Sequence, residues 1–288
     1  MMRIGYYPGC SLLGSSREFD ESVRALMKAL QVELATVPDW NCCGASSAHT
    51  LDHDLSLALP ARILALAERD GITEMLAPCA ACSNRLLGAQ QELTEHPDTR
   101  ARIEGVIGMP FKGTVRVLNI LEVLARVKDR IVPTSPFSRK VACYYGCLLV
   151  RPARVVRFDR VENPQSMDQL MAHIGATPVA WNFKTECCGA AFSVTRTDIV
   201  ARLSGTLLDD AVRHGAEAIV VACPMCHSNL DMRRPEISRY LGRDERTPVM
   251  FVTQAIGLAM GLDPEDLGLH RHMVPVEFRE PALSGAKA

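Results

Sequence analysis

The sequence predicts an α/β protein built as two pseudo-symmetric halves, and three observations carry that prediction. Short β-rich runs alternate with helical patterns along the whole chain, the signature of parallel layered sheets. Ten of the eleven cysteines fall into two sets of five that repeat the same order, one set per half. At 288 residues and 48% apolar side chains, the chain is long enough for one large or two ordinary domains and can bury a full core.

The runs 3–7, 32–37, 73–77 and 115–119 read as strands of the first half, and 140–145, 177–183, 217–222 and 248–253 as strands of the second. Helical periodicity covers 16–30, 55–71, 164–175 and 197–215. The stretch 96–114 is less regular and precedes the last strand and helix of the first half. Two prolines and weak periodicity over 128–139 mark the boundary between halves. The expected division is a first domain over 1–130, a second over 138–272, and a tail over 273–288 that ends in small and polar residues and is expected to be partly disordered.

Lys plus Arg total 32 against 33 Asp plus Glu, so no global charge draws the chain to nucleic acid or to an anionic membrane. Apolar runs such as "VMFVTQAIGLAMGL" are too short or too broken for a membrane span. The start, "MMRIGYYPGCSLLG", lacks the apolar stretch of an export signal. A cytoplasmic location follows, where thiols stay reduced and clustered cysteines more often mean metal or redox chemistry than disulfides.

Each cysteine set runs in one order: a lone cysteine, a Cys-Cys-Gly, then a Cys-x-x-Cys. The first is Cys10, Cys42, Cys43, Cys79 and Cys82; the second is Cys147, Cys187, Cys188, Cys223 and Cys226. Their surroundings repeat too, "GYYPGC" answering "ACYYGC" and "LAPCAAC" answering "VACPMC". This is a duplicated supersecondary unit, far longer than a solenoid repeat. Cys143 stands outside both sets, with Arg3, Ile4 and Gly5 in the corresponding stretch of the first half, and reads as a small buried hydrophobe. A disulfide within Cys42–Cys43 or Cys187–Cys188 would close a strained eight-membered ring, so something else holds those thiols. Structural zinc takes four ligands, and five cysteines per set without paired knuckles fit it poorly. Iron–sulfur chemistry accommodates them better. Several of these cysteines fall just past strand ends, at the edge where open α/β sheets place their ligands.

From "YYPGC" to "GLAMGLDPEDLGL", roughly residues 2 to 272, the chain resembles the B-type subunit of heterodisulfide reductase, whose two Rossmann-like CCG domains carry cysteines in this order. The resemblance implies one noncubane 4Fe-4S cluster per set, with the ten cysteines as ligands through iron and a thiol or disulfide substrate held between the clusters. By the same resemblance the partners are a C-type protein with two cubane 4Fe-4S clusters and, beyond it, a flavin-containing A-type protein. The substrate is then a disulfide such as CoM-S-S-CoB, or a thiol-bound or sulfane sulfur in reverse. Two clusters suit the count, since a disulfide takes two electrons and a cluster usually passes one. Gly44 and Gly189 let the backbone turn tightly behind each vicinal pair.

Outside the cysteines, His227 follows Cys226 directly, a position that matches the family, and is a candidate catalytic residue able to bond a cluster sulfur or donate a proton; its plain reading is a structural histidine. Arg151 and Arg154, with Arg157, follow Cys147 and are candidates for an anionic group on the substrate, against the plain reading of a solvated cationic face. Tyr6, Tyr7, Tyr144 and Tyr145 read as core, and Trp40 and Trp181 as packing. His49 and His53 have the spacing of a weak helical metal pair and read as an exposed face. Among nucleotide and relay motifs, no GxGxxG after the first strand, no Walker loop and no closely spaced ferredoxin cysteines occur, so nicotinamide and flavin are not expected in this chain and electrons enter from a separate partner protein. Two rival functions remain: an electron-transfer CCG subunit of a lactate-, glycolate- or succinate-type oxidoreductase, and a structural zinc or scaffold subunit.

Overall fold

The alternation of apolar runs and helical stretches resolves into two four-stranded, all-parallel sheets with helices, an α/β architecture repeated in the two halves. The computed structural model describes residues 2–45 and 48–278. In the first half the order is β1 (Met2–Tyr6), α1 (Gly9–Leu13), α2 (Arg17–Ala29), β2 (Val32–Thr36), α3 (Ala48–Leu51), α4 (His53–Arg69), β3 (Glu74–Leu76), α5 (Ala80–Glu95), α6 (Pro97–Ile107), β4 (Arg116–Leu118) and α7 (Ile120–Arg126). The second half continues with β5 (Lys140–Tyr144), α8 (Ser166–His173), β6 (Thr177–Pro178), α9 (Thr197–Arg213), β7 (Ala218–Val221), α10 (Pro224–Asp231), α11 (Arg234–Leu241), β8 (Val249–Phe251) and α12 (Val252–Ala259).

Both sheets share one strand order, β2-β1-β3-β4 and β6-β5-β7-β8. Chain order reverses between β1 and β3, and again between β5 and β7, so each sheet has a crevice beyond the carboxyl ends of those two strands. Just after each of these four strands comes a cysteine of the two sets, Cys10 in the first turn of α1 and Cys79, Cys147 and Cys223 in the loops. Inner strands covered on both faces must be apolar throughout, and β7, Ala218 to Val221, is buried at every residue.

Local signals explain where helices begin and end. Asp52 caps α4 by accepting from the Leu55 amide at 2.7 Å, and Asn119 with Glu122 forms a capping box on α7. The stretch 96–114, read as irregular, holds the eleven-residue helix α6, opened by Pro97 in its first turn and closed by left-handed Gly108. The strand expected over 177–183 keeps only Thr177 and Pro178, because Trp181 turns inward to donate to the Cys143 carbonyl at 3.2 Å. The run 248–253 switches to helix after Phe251.

One apolar core runs through both halves. At their junction α2 packs on α12, the Phe19 and Phe251 rings stack at 4.0 Å, and the Ser22 and Thr253 hydroxyls hydrogen-bond at 2.7 Å. In the tail, Phe278 packs edge-on against Phe137 at 5.4 Å with the Arg139 guanidinium over its ring. The expectation of disorder for 279–288 falls outside the described residues.

Candidate cysteine-lined redox site

Four of the five cysteines in each set act on one tyrosine, whose hydroxyl they push up together with burial: Cys82, Cys43, Cys42 and Cys10 on Tyr7, and Cys226, Cys188, Cys147 and Cys187 on Tyr144. Both are core residues with their hydroxyls tied to the backbone just before a vicinal pair: Tyr7 donates to the Asn41 carbonyl at 2.9 Å and Tyr144 to the Glu186 carbonyl at 2.7 Å. Trp40 packs edge-on against Tyr7 and Trp181 against Tyr144, as their reading as packing residues requires.

This equivalence corrects the alignment of the two halves near Cys143. Tyr6 pairs with Leu76, three residues before Cys79, and Cys143 pairs with Val220, three residues before Cys223. Cys143 therefore occupies the place of Tyr6, and the Arg3–Gly5 stretch lies further back along the strand. Fully buried, its thiol is pushed up by desolvation, which makes it inert.

Within each set the sulfurs approach one another without bonding. Cys10 and Cys42 lie 3.7 Å apart, Cys43 and Cys82 3.2 Å, and Cys188 and Cys226 3.7 Å, all well beyond a disulfide length. All eleven thiols are free. The glycine after each pair holds the left-handed conformation, φ 75° at Gly44 and 82° at Gly189, which aims its amide back at the first sulfur: Gly44 N to Cys42 Sγ 3.4 Å, Gly189 N to Cys187 Sγ 3.3 Å. Opposite, Gly146 backs so closely on Cys226 that a Cβ there would sit 2.8 Å from its sulfur.

The thiols share protons unevenly. The neighbouring Cys42 and Cys82 thiols hold Cys43 down to about 3, against the opposing effect of burial. Cys187 is lowered to about 6, first by Cys147 and then, against burial, by the amides of Gly189 and Ala190. Thiolate is the metal-binding form, so the five-sulfur donor sets, open at Cys10, Cys42 and Cys187, fit an iron–sulfur group. Asn229, which the sequence reading passed over, steadies the second vicinal pair by donating to the Cys188 carbonyl at 3.0 Å.

His227 sits where the sequence puts it, one residue past Cys226, but both ring nitrogens are engaged in the interior. Nδ1 faces Glu18 Oε1 at 3.5 Å; Nε2 lies 3.2 Å from the Val249 carbonyl and 3.2 Å from His272 Nδ1. The expectation that this ring bonds a cluster sulfur gives way to a structural role. His227, Asp231 and His272 bring ligand atoms within 4.8 Å, yet their hydrogen bonds oppose a metal. Gln254 Oε1 accepts from the Phe251 amide, so its Nε2 donates to His272 Nε2 at 2.8 Å. That leaves the proton of neutral His272 on Nδ1, on the side that faces His227 and the Val249 carbonyl.

Glu18 is only 6% exposed, and burial, reinforced by Asp231, raises its carboxyl to about 7. The folded chain therefore holds this proton more tightly than the unfolded chain, whose glutamate titrates near 4.3. Stability is expected to fall as pH rises from about 4.5 to about 7, by up to about 3 kcal/mol. Denaturant titrations across that window should show Glu18→Gln flattening the slope; an unchanged slope would refute the assignment.

Arg151 is half-buried and already occupied, pairing with Glu162 at 3.0 Å and donating to Thr185. Arg154 and Arg157 are exposed on the same loop. His49 and His53 are exposed on separate helices, His53 facing Glu92.

Comparison with known proteins adds the following. The family described as CCG, cysteine-rich domain, matches residues 4–86 and 141–231. The chain is 30% identical over 277 residues to the 8-methylmenaquinol:fumarate reductase membrane anchor subunit of Wolinella succinogenes, covering 94% of this chain and 96% of that protein. It is also 30% identical over 291 residues to the B-type subunit of the ferredoxin:CoB-CoM heterodisulfide reductase of Methanosarcina mazei, covering 96% of each. Among solved structures, a hypothetical protein from Helicobacter pylori superposes with a TM-score of 0.78 at 15% identity over 96% of this chain and 52% of that one, a likeness of fold alone.

Proposed function

This chain belongs to the CCG cysteine-rich domain family, and from that premise we propose that it is the catalytic iron–sulfur subunit of a heterodisulfide-reductase-like complex. Each five-cysteine set holds one noncubane 4Fe-4S cluster, with Cys10, Cys42, Cys43, Cys79 and Cys82 on the first and Cys147, Cys187, Cys188, Cys223 and Cys226 on the second. The observation that carries this reading is the doubled basin itself: free sulfurs 3.2 to 3.7 Å apart within each set, with four cysteines of each set acting on one buried tyrosine. Similarity along nearly the whole length of a B-type heterodisulfide reductase subunit supports it.

Bound clusters would exchange one electron each, matching the two that convert a disulfide and two protons to two thiols. The protein's part is to present thiolates, anchor each vicinal pair through the glycine amide, and leave the exposed cysteine side open to a substrate. Arg154 and Arg157 offer charge to an anionic group on that substrate, whereas Arg151 is held by Glu162. Electrons enter from a C-type partner bearing two cubane clusters, and behind it a flavin-containing A-type protein.

A second reading draws on the equal similarity to a protein named for quinol:fumarate reduction, in which this chain passes electrons without meeting a disulfide. Among the described residues no helix is long and apolar enough to cross a membrane. Iron and acid-labile sulfide after anaerobic preparation, followed by EPR with and without a thiol or disulfide, test the proposal. About eight irons per chain and a spectrum altered by the sulfur ligand are expected. An unaltered spectrum would favour the electron-passing reading, and zinc without sulfide would overturn both.

A further inference from the structure

Helix α5, which begins at the Cys-x-x-Cys of the first set, also reaches into the second half. Asn84 stands two residues past Cys82 on this helix, and its single side-chain amide donates to two carbonyls of the second half, Leu148 at 3.1 Å and Arg151 at 2.7 Å. Those carbonyls belong to the turn that holds Cys147, whose own carbonyl receives the amides of Val150 at 3.4 Å and Arg151 at 3.0 Å. The Arg151 guanidinium carries the link onward, donating to the Thr185 carbonyl and hydroxyl, both at 3.3 Å, two residues before Cys187. A short run of bonds thus leads from Cys82 through Asn84 and Arg151 to the Cys147 turn and the second vicinal pair.

The matched place in the second half is Ser228, two residues past Cys226 on α10, and it does less: its hydroxyl lies 3.4 Å from that of Ser16. The lone cysteine of the first set has less need of such help. Cys10 sits inside α1, where the Gly14 amide closes on its carbonyl at 3.0 Å. Cys147 lies outside any helix or strand. We propose that Asn84 is a positioning residue of the second cysteine set, lent by the first half, which fixes the Cys147 sulfur relative to Cys187. The claim concerns the thiols themselves; its expression at a cluster rests on the proposed assignment of one cluster to each set. Hydrogen bonds behind a ligand orient it and tune the metal it holds, and a turn with both outward carbonyls gripped by one amide has little freedom to swing its cysteine away.

Asn84→Ala removes both bonds and places a good helix former in α5; Asn84→Asp keeps the shape but cannot donate when ionised. The first readout needs no cluster. In the full chain freed of iron and fully reduced, alkylation by iodoacetamide is followed at each cysteine by peptide mass. Both variants should alkylate Cys147 about tenfold faster than wild type, with Cys10 as an unchanged reference in the same sample. Ser228→Ala should leave the Cys147 rate where it is. The second readout is EPR of the assembled chain, with signals assigned through Cys188→Ala, which empties the second site. Asn84→Ala should shift or broaden the second cluster's spectrum and spare the first. A merely structural role would lower the unfolding midpoint and move neither readout. An unchanged Cys147 rate, or an unchanged second-cluster spectrum in the assembled variant, would overturn the inference and leave the cluster assignment standing. A wild-type chain that binds no iron would overturn the assignment, and the alkylation rates alone would then decide the role of Asn84.

Discussion

Cys188→Ala is expected to remove the second cluster and leave the first, halving iron from about eight to about four per chain and reducing disulfide turnover to background. The reason is geometric as well as chemical. Cys188 is buried, its sulfur lies 3.7 Å from Cys226, and Asn229 holds its carbonyl in place. The matched control is Cys143→Ala, which deletes an equally buried thiol that faces no other cysteine of either set, and iron should not change. If Cys188→Ala retained full iron and sulfide, or Cys143→Ala lost half, the assignment of ligands would be wrong.

The second large effect concerns stability. Lys184 and Asp168 form a salt bridge at 2.6 Å, about 10% and 12% exposed, and Asp168 also accepts from the Tyr145 hydroxyl at 2.7 Å. Asp168→Ala leaves a buried ammonium whose remaining partner is the Pro164 carbonyl. Removing one member of such a pair costs about 3–5 kcal/mol, whereas replacing both with apolar residues is often close to neutral. Urea denaturation should show that loss for Asp168→Ala and a much smaller one for Asp168→Leu with Lys184→Met. The local consequence reaches the site, because the Lys184 carbonyl accepts the amides of Tyr145 and Gly146 immediately before Cys147. A loss below about 1 kcal/mol in the single variant would show that solvent reaches the ammonium.

What the residues disclose in advance is the chemistry that is local. Cysteine order, the glycine behind each pair and the alternation of strand and helix are patterns of near neighbours, and they yield the α/β halves and the convergence of each set. What they conceal is set by contacts across the chain. The role of His227 depends on Glu18 from α2 and His272 near the end, more than two hundred residues apart from each other. The place of Cys143 is a matter of strand register, invisible to a reading that aligns the tyrosine pairs letter by letter. Helix α6 carries legible end signals in Pro97 and Gly108, but its single fully buried residue, Ile103, gives too weak a stripe for periodicity to register.

The stacked Phe19 and Phe251 rings lie where the halves join, and the Ser22–Thr253 bond locks the same seam. A seam filled by core side chains does not slide, since packed interiors tolerate few alternative arrangements. The gap between the two cysteine basins is therefore a fixed gauge, cut once when the chain folds. If, as proposed, a sulfur compound is held between the two sets, it must match that gauge in length, and its selection becomes a question of reach as much as of reactivity.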